Sequence, residues 1–371
     1  MMTNRERVLA SLNHRQPDRV PYHIGFTKVA HAKMVEYYGE PSFAEKLGNC
    51  FTFLGTGPPD GWKEVEPDIS EDEFGVRWNR SIDKDIGTVC NQVITKMNLE
   101  DYEFPDPHDT RRWAYYPAGY GLKAALRTDG VKAALHKGEG SEADTSSSGR
   151  GRREAPGEGE DGFLVANIGF SLFERAWTLF GMENLLMAMV EDPAFVHRLL
   201  DRILEHNLAL IEHACSYDID AMMFGDDWGS QRGLIMGARL WNEFIKPRVA
   251  AMYRAVHATG KSVLIHSCGK VDELFPDLVE AGVDVFNPFQ PEVMDVFEVK
   301  KQYGDRLCFY GGISTQKTLP YGTVDDVREE VKRLLGEVGK DGGYFAAPAH
   351  SIPADARPEN VAAMVEVLMD R

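Results

Sequence analysis

The 371-residue chain carries 58 acidic and 41 basic side chains, for a formal net charge of −17 at pH 7, with 43% hydrophobic and 27% charged residues. That is globular composition with ample chain for a large core. The negative charge argues against sequence-independent nucleic-acid binding and against attachment to an anionic membrane, since both need a basic surface. Five cysteines (Cys50, Cys90, Cys215, Cys268 and Cys308) are too few and too odd for a disulfide framework. With a polar Met1–Arg19 segment and no apolar run approaching a membrane span, they point to a soluble, cytoplasmic chain.

Thr3 or Asn4 can cap a first helix whose apolar stripe is Val8, Leu9 and Leu12. Val20–Phe26 reads as a first strand, and residues 50–120, rich in Pro, Gly and Trp, as loops and short hairpins around the core. From Lys137 to Asp161 no large apolar side chain occurs, so this stretch is expected to be a flexible surface insertion, with a substrate lid as the alternative. Beyond residue 163 short apolar runs alternate with amphipathic helices. The predicted strands are Phe163–Ile168, Ala221–Phe224, Ser262–His266, Val283–Asn287, Leu307–Tyr310 and Tyr344–Ala347. The predicted helices fall near 183–216, 238–259, 271–281, 292–303, 324–339 and 358–370. Six such strands, the first strand and one from the unclear region make eight. The expected fold is therefore an α/β (β/α)8 barrel with an N-terminal helical extension, one domain over 1–371. An open doubly wound sheet competes less well, because no strand is followed by a Gly-rich dinucleotide loop or a phosphate loop.

In such a barrel the chemistry sits in loops just after the carboxyl ends of the strands. Those positions hold Asp226 and Asp227, His266 and Cys268, Asn287, Gln290 and Glu292, Gln316, and His350. His266 and Cys268, two apart in extended chain, project to the same side and form a soft, zinc-type donor pair. A third donor must come from another strand end; His350 is best placed, with Gln290 and Glu292 behind it. Packing of Cys268 and a hydrogen-bonded His266 is the plainer alternative. Asp226 and Asp227 point to opposite sides, so one of them faces the pocket, to hold a cationic group, orient a histidine or act as a base, unless it caps the next turn. His23, inside the first strand, is placed to face the barrel mouth, and Cys308, within a strand, reads as packing.

With those residues assembled, the sequence resembles the uroporphyrinogen decarboxylase superfamily, which includes zinc-dependent methyltransferases acting on corrinoid proteins. The resemblance rests on NRERVLASLNHRQPDRVPY, FGDDWGSQRGLIMGARLWNEFIKPRV, GKSVLIHSCGKVDEL, AGVDVFNPF, FYGGIST and APAHSIPADARPENV, which together cover most of the chain. The decarboxylase pattern requires an arginine-rich segment after the first strand, where this chain reads HIGFTKVAHAK without arginine, and an aspartate that is not recognisable around Asn49–Gly57. The methyltransferase pattern has an HxC pair, matched by His266 and Cys268, and a third ligand, usually cysteine, in the loop where this chain has His350. The resemblance thus implies a zinc-assisted methyltransferase or demethylase. Zinc would sit on His266, Cys268 and His350. Asp226, Asp227 and His350 would be catalytic, and His23, Gln290, Glu292 and Gln316 would bind substrate. The expected partners are a small-molecule methyl donor or acceptor and a corrinoid protein, with a homodimer as the candidate assembly. Uroporphyrinogen decarboxylase activity, or a non-catalytic corrinoid- or tetrapyrrole-binding role, are the alternatives.

Overall fold

The computed structural model describes residues 1–55, 61–109 and 162–370. The expected insertion at 137–161 lies outside them. The chain opens with a helix, Asn4–Leu12, started by a capping box in which Thr3 and Glu6 satisfy each other's backbone N–H groups. It then runs through β1 (Phe51–Gly55) and four short antiparallel strands, β2 (Lys63–Glu66), β3 (Ile69–Glu71), β4 (Arg77–Asn79) and β5 (Thr88–Val89). After these come β6 (Phe163–Ile168), β7 (Ala221–Gly225), a small hairpin of β8 (Gly229–Ser230) and β9 (Gly233–Leu234), β10 (Ser262–His266), β11 (Val285–Phe289), β12 (Cys308–Ile313) and β13 (Tyr344–Pro348).

Seven of these strands form one parallel sheet in the order β1-β6-β7-β10-β11-β12-β13. The predicted first strand closes it. Ala346 of β13 receives the N–H of His23 at 3.0 Å and gives its own N–H to Pro21 O at 2.9 Å, while on the other edge Cys50 N–H donates to Tyr22 O at 2.9 Å. The result is the (β/α)8 barrel. This closing stave pairs as isolated bridges, Tyr22 with Ala346 and Phe26 with Ile352, rather than as a continuous ladder; Pro21 has no N–H to give.

Alternation along each strand makes two cores. Phe51, Phe163, Val165, Ala221, Met223, Leu264, Val285, Cys308, Tyr310 and Phe345 fill the barrel, whereas Met222, Phe224, Val263, Ile265, Phe286 and Phe309 face the helices. The N-terminal helix stoppers the amino end of the barrel: Val8 is fully buried in the interior cluster, and Gly343 N–H donates to Ser11 O at 2.9 Å. Among the described residues, this leaves the carboxyl end of the barrel open for a site.

Several boundaries differ from the sequence reading. β11 begins at Val285, two residues late, because Val283 N–H still closes the preceding helix onto Leu278 O. The helix expected near 183–216 is two, Met182–Glu191 and Pro193–Cys215, broken where Pro193 lacks a donor and Asp192 caps Phe195. A further helix, Phe173–Phe180, precedes them. The helix expected from 292 starts at Val296, capped by Asp295. The antiparallel excursion β2–β5 is clamped to the barrel by buried Asp72, which accepts from Trp78 Nε1 at 3.1 Å and pairs with Arg175 at 3.4 Å. Among the described residues, no helix is long and apolar enough to cross a membrane.

Candidate metal centre

On β10 the parity that sends Leu264 into the barrel sends His266 there too. One step on, Ser267 is buried, donating its N–H to Asn287 O at 2.7 Å and accepting from Trp228 N–H at 3.0 Å. The chain therefore stays extended and returns Cys268 to the same side, with its Sγ 3.3 Å from His266 Nε2. Gly269 makes the next turn. It sits at φ +87°, and a Cβ there would lie 2.5 Å from the Gly229 carbonyl carbon, so the loops after β7 and β10 touch backbone to backbone. His350, on the loop after β13, completes the set: its ring centroid is 5.5 Å from that of His266, and the donor atoms of His266, Cys268 and His350 all lie within 4.8 Å of one another. Among the described residues this is the group of His, Cys and acidic donors able to hold an ion.

Neighbouring loops orient the donors. Asn287 Nδ2 donates to Tyr310 O at 2.9 Å, which makes Oδ1 its acceptor, and that oxygen is 2.6 Å from His266 Nδ1. His266 thus carries its proton on Nδ1 and presents an Nε2 lone pair toward Cys268. Asp227 Oδ1 accepts the Cys268 N–H at 2.7 Å and lies 3.8 Å from His266 Nε2, and Gln290 Oε1 accepts the Gly269 N–H at 3.3 Å. Burial pushes the Cys268 thiol up, while the adjacent His350 pulls it down. One soft thiolate and two imidazoles, one with its tautomer set by a second hydrogen bond, suit a zinc-type ion and leave a fourth position for substrate. The residues present fit the metal.

The two aspartates divide as their parity requires. Asp226 is buried and turned away from the donors. It accepts from Leu172, Phe173 and Glu174 N–H groups at 3.4, 3.1 and 2.7 Å and from Trp228 Nε1 at 2.6 Å. It holds the start of the Phe173–Phe180 helix. Burial pushes its carboxyl up to about 6 against four donors that favour the ionised form. Asp227 is the one at the centre.

Glu174, which the sequence reading passed over, stands beside Asp227 on the first turn of that helix. Burial first, then the charges of Asp227 and Asp226, push its carboxyl upward, and His266 pulls it down. Asn287, which met the strand-end filter, lies inside β11, and nothing in its segment hinted at its bond to His266.

The remaining candidates are spread wider. His23 is inside the barrel, its ring edge-on to Phe53 at 5.2 Å and to Tyr310 at 6.2 Å. Its buried Nδ1 has no partner, and burial lowers it to about 4. Glu292 Oε1 accepts from Ser314 Oγ at 2.5 Å and Gln316 N–H at 3.2 Å, tying the β11 and β12 loops together, while Glu330 takes the Ser314 N–H at 2.7 Å. Glu292 also lines an outer groove of about 450 Å³ with Phe297, Lys317, Glu330 and Arg333. Glu292 thus bonds Ser314 and Gln316 rather than the donors. Cys308 is buried beneath the N-terminal helix.

The family model of uroporphyrinogen decarboxylase (URO-D) matches residues 169–370, the span that holds all three donors. A uroporphyrinogen decarboxylase of Chlorobium phaeobacteroides is 27% identical over 223 residues, covering 56% of this chain and 60% of that protein. The methylcobamide:CoM methyltransferase MtaA of Methanosarcina barkeri is 29% identical over 131 residues, 35% of this chain and 36% of its own. The chain spans between 50% and 60% of the length of the first curated decarboxylases it matches. In fold it is similar to a solved methyltransferase from Methanosarcina mazei, with a TM-score of 0.66 at 17% identity over 99% of this chain and 98% of the other.

Proposed function

We propose that this chain, which belongs to the uroporphyrinogen decarboxylase (URO-D) family, is a zinc-assisted methyl-transfer enzyme that works with a corrinoid protein. The observation that carries the reading is the convergence of His266, Cys268 and His350 within 4.8 Å at the open end of the barrel, with Asn287 setting the His266 tautomer. A bound zinc would supply Lewis acidity that makes a thiol, or another weak nucleophile, reactive near neutral pH. The chain's own residues arrange that chemistry. Asp227 holds the Cys268 loop by its N–H, Gln290 holds Gly269, and Asp226 anchors the helix that brings Glu174 alongside. The stoppered amino end of the barrel confines substrate to the mouth, where His23, Phe53 and Tyr310 form an aromatic floor. This family's methyltransferase relative and the methyltransferase-like fold support the same branch.

The test is a direct transfer. With zinc-loaded protein, methylcobalamin and a thiol, the methyl group moves to sulfur, the cobalt keeps the electron pair of the broken bond, and the thiol proton is released. The expected result is the absorbance of cob(I)alamin appearing in proportion to enzyme. An unchanged methylcobalamin spectrum at high enzyme concentration, with a panel of thiols, contradicts it.

The family match and its curated relatives also favour a second reading, uroporphyrinogen decarboxylase activity. It predicts coproporphyrinogen from uroporphyrinogen without any metal. The absence of an arginine between Val20 and Glu36 leaves a polyacidic substrate without its clasp on this −17 chain. Spectral shifts of a corrinoid or tetrapyrrole without turnover in either assay would instead mark a binding protein.

A further inference from the structure

Numbered around the barrel with the closing stave first, β7 is the fourth strand, and β12, β13 and the closing stave stand across from it. The β7 side of the mouth is acidic. Asp227 engages the Cys268 N–H through Oδ1, which leaves Oδ2 for a ligand, and its side chain is 37% exposed. Across from it, His23 of the closing stave and Tyr310 of β12 pack edge to face at 6.2 Å, with Phe53 of β1 edge-on to His23 at 5.2 Å. Among the described residues, three lysines on the loops after the strands are engaged elsewhere. Lys270 Nζ bonds Asp272 at 3.2 Å and Val293 O at 3.4 Å, Lys28 Nζ reaches Lys84 O at 3.5 Å, and Lys317 lines the outer groove.

A divalent ion held with one cysteine thiolate and one substrate thiolate is electrically neutral. The charge on the far end of the substrate is then read by Asp227 and by the aromatic faces opposite, both of which favour a cation. Resting on the metal-assisted methyl-transfer reading, we propose that Asp227 is a specificity-determining residue: it matches the centre to an acceptor thiol whose tail carries a quaternary or protonated ammonium group, and disfavours one with an anionic tail.

The experiment replaces zinc with cobalt(II) in the full chain and titrates three ethanethiols that differ in their tails: thiocholine, 2-mercaptoethanol and 2-mercaptoethanesulfonate. Thiolate-to-cobalt absorption reports binding without turnover. Thiocholine should bind tightest and the sulfonate weakest, about tenfold or more apart at low ionic strength, and high salt should shrink the gap. D227N keeps a carbonyl oxygen for the Cys268 N–H but removes the charge; it should bring the three affinities to within about twofold while the cobalt ligand-field bands stay as they were. Equal affinities in the wild type, a sulfonate that binds tightest, or an order that survives both D227N and salt would overturn the proposal. Missing ligand-field bands would instead remove the metal reading, and this proposal with it.

Discussion

Asn287 and His266 meet across two adjacent barrel strands, Oδ1 to Nδ1 at 2.6 Å, and the same asparagine is locked in orientation by its bond to the Tyr310 carbonyl. Through this pair, an uncharged side chain decides which imidazole nitrogen is available as a donor. Replacing such a partner of a ligating histidine characteristically weakens metal binding by about 10- to 100-fold. Asn287→Leu should do so here with the fold intact, as read by competition with a chromophoric chelator and by circular dichroism. Undiminished zinc affinity in that variant would mean the tautomer is set by something else.

Asp226 and Asp227 are adjacent in sequence and opposite in consequence. Asp226→Ala strands three backbone N–H groups and the Trp228 indole N–H in a buried place, which should cost about 3 kcal/mol or more of stability. Asp227→Ala, at a part-exposed position, should cost no more than about 1 kcal/mol while disturbing the centre. Urea denaturation of the two variants compares them, and equal losses would contradict this division of labour.

His23 gives the fold an acid sensitivity. An unfolded histidine titrates near 6.5, whereas burial among Phe51, Phe53 and Tyr310 holds His23 at about 4. Between those values the unfolded chain carries the extra proton, so stability rises with pH. The contribution is complete above about pH 6.5 and drains away as pH falls toward 4, amounting to about 2 kcal/mol between pH 7 and pH 5. His23→Phe removes the titrating group, so its stability should fall by about 2 kcal/mol less than the wild type's over that interval. Parallel pH profiles for the two proteins would show that His23 is not the group responsible.

Much of the barrel was legible because its strands are short apolar runs with sharp edges: Phe163–Ile168 and Ser262–His266 have the bounds the pattern suggested. The same regularity put His266, Cys268, Asp227 and His350 at strand ends, and parity alone said that only one of the two aspartates could face inward. What stayed hidden depends on contacts far apart in sequence. The helix Phe173–Phe180 has Leu172 at its start and no local side-chain cap; its cap is Asp226, more than fifty residues on, so neither the helix nor Glu174 on its first turn carried a recognisable signal. Asn287 could be placed after a strand but not opposite His266, because the register between β10 and β11 is not written in either segment. Glu292 and Gln316 show the limit of the strand-end rule, which locates a residue on a loop without saying whether it turns to the mouth or to the outer groove.

The centre itself is tested most directly by counting metal. Purified, zinc-supplemented wild-type protein is predicted to hold about one zinc per chain, Cys268→Ala and His350→Ala to lose it, and His350→Cys to retain it, since a thiolate serves as well as an imidazole. Wild-type protein without stoichiometric zinc, or a Cys268→Ala variant that keeps its zinc, would contradict the account.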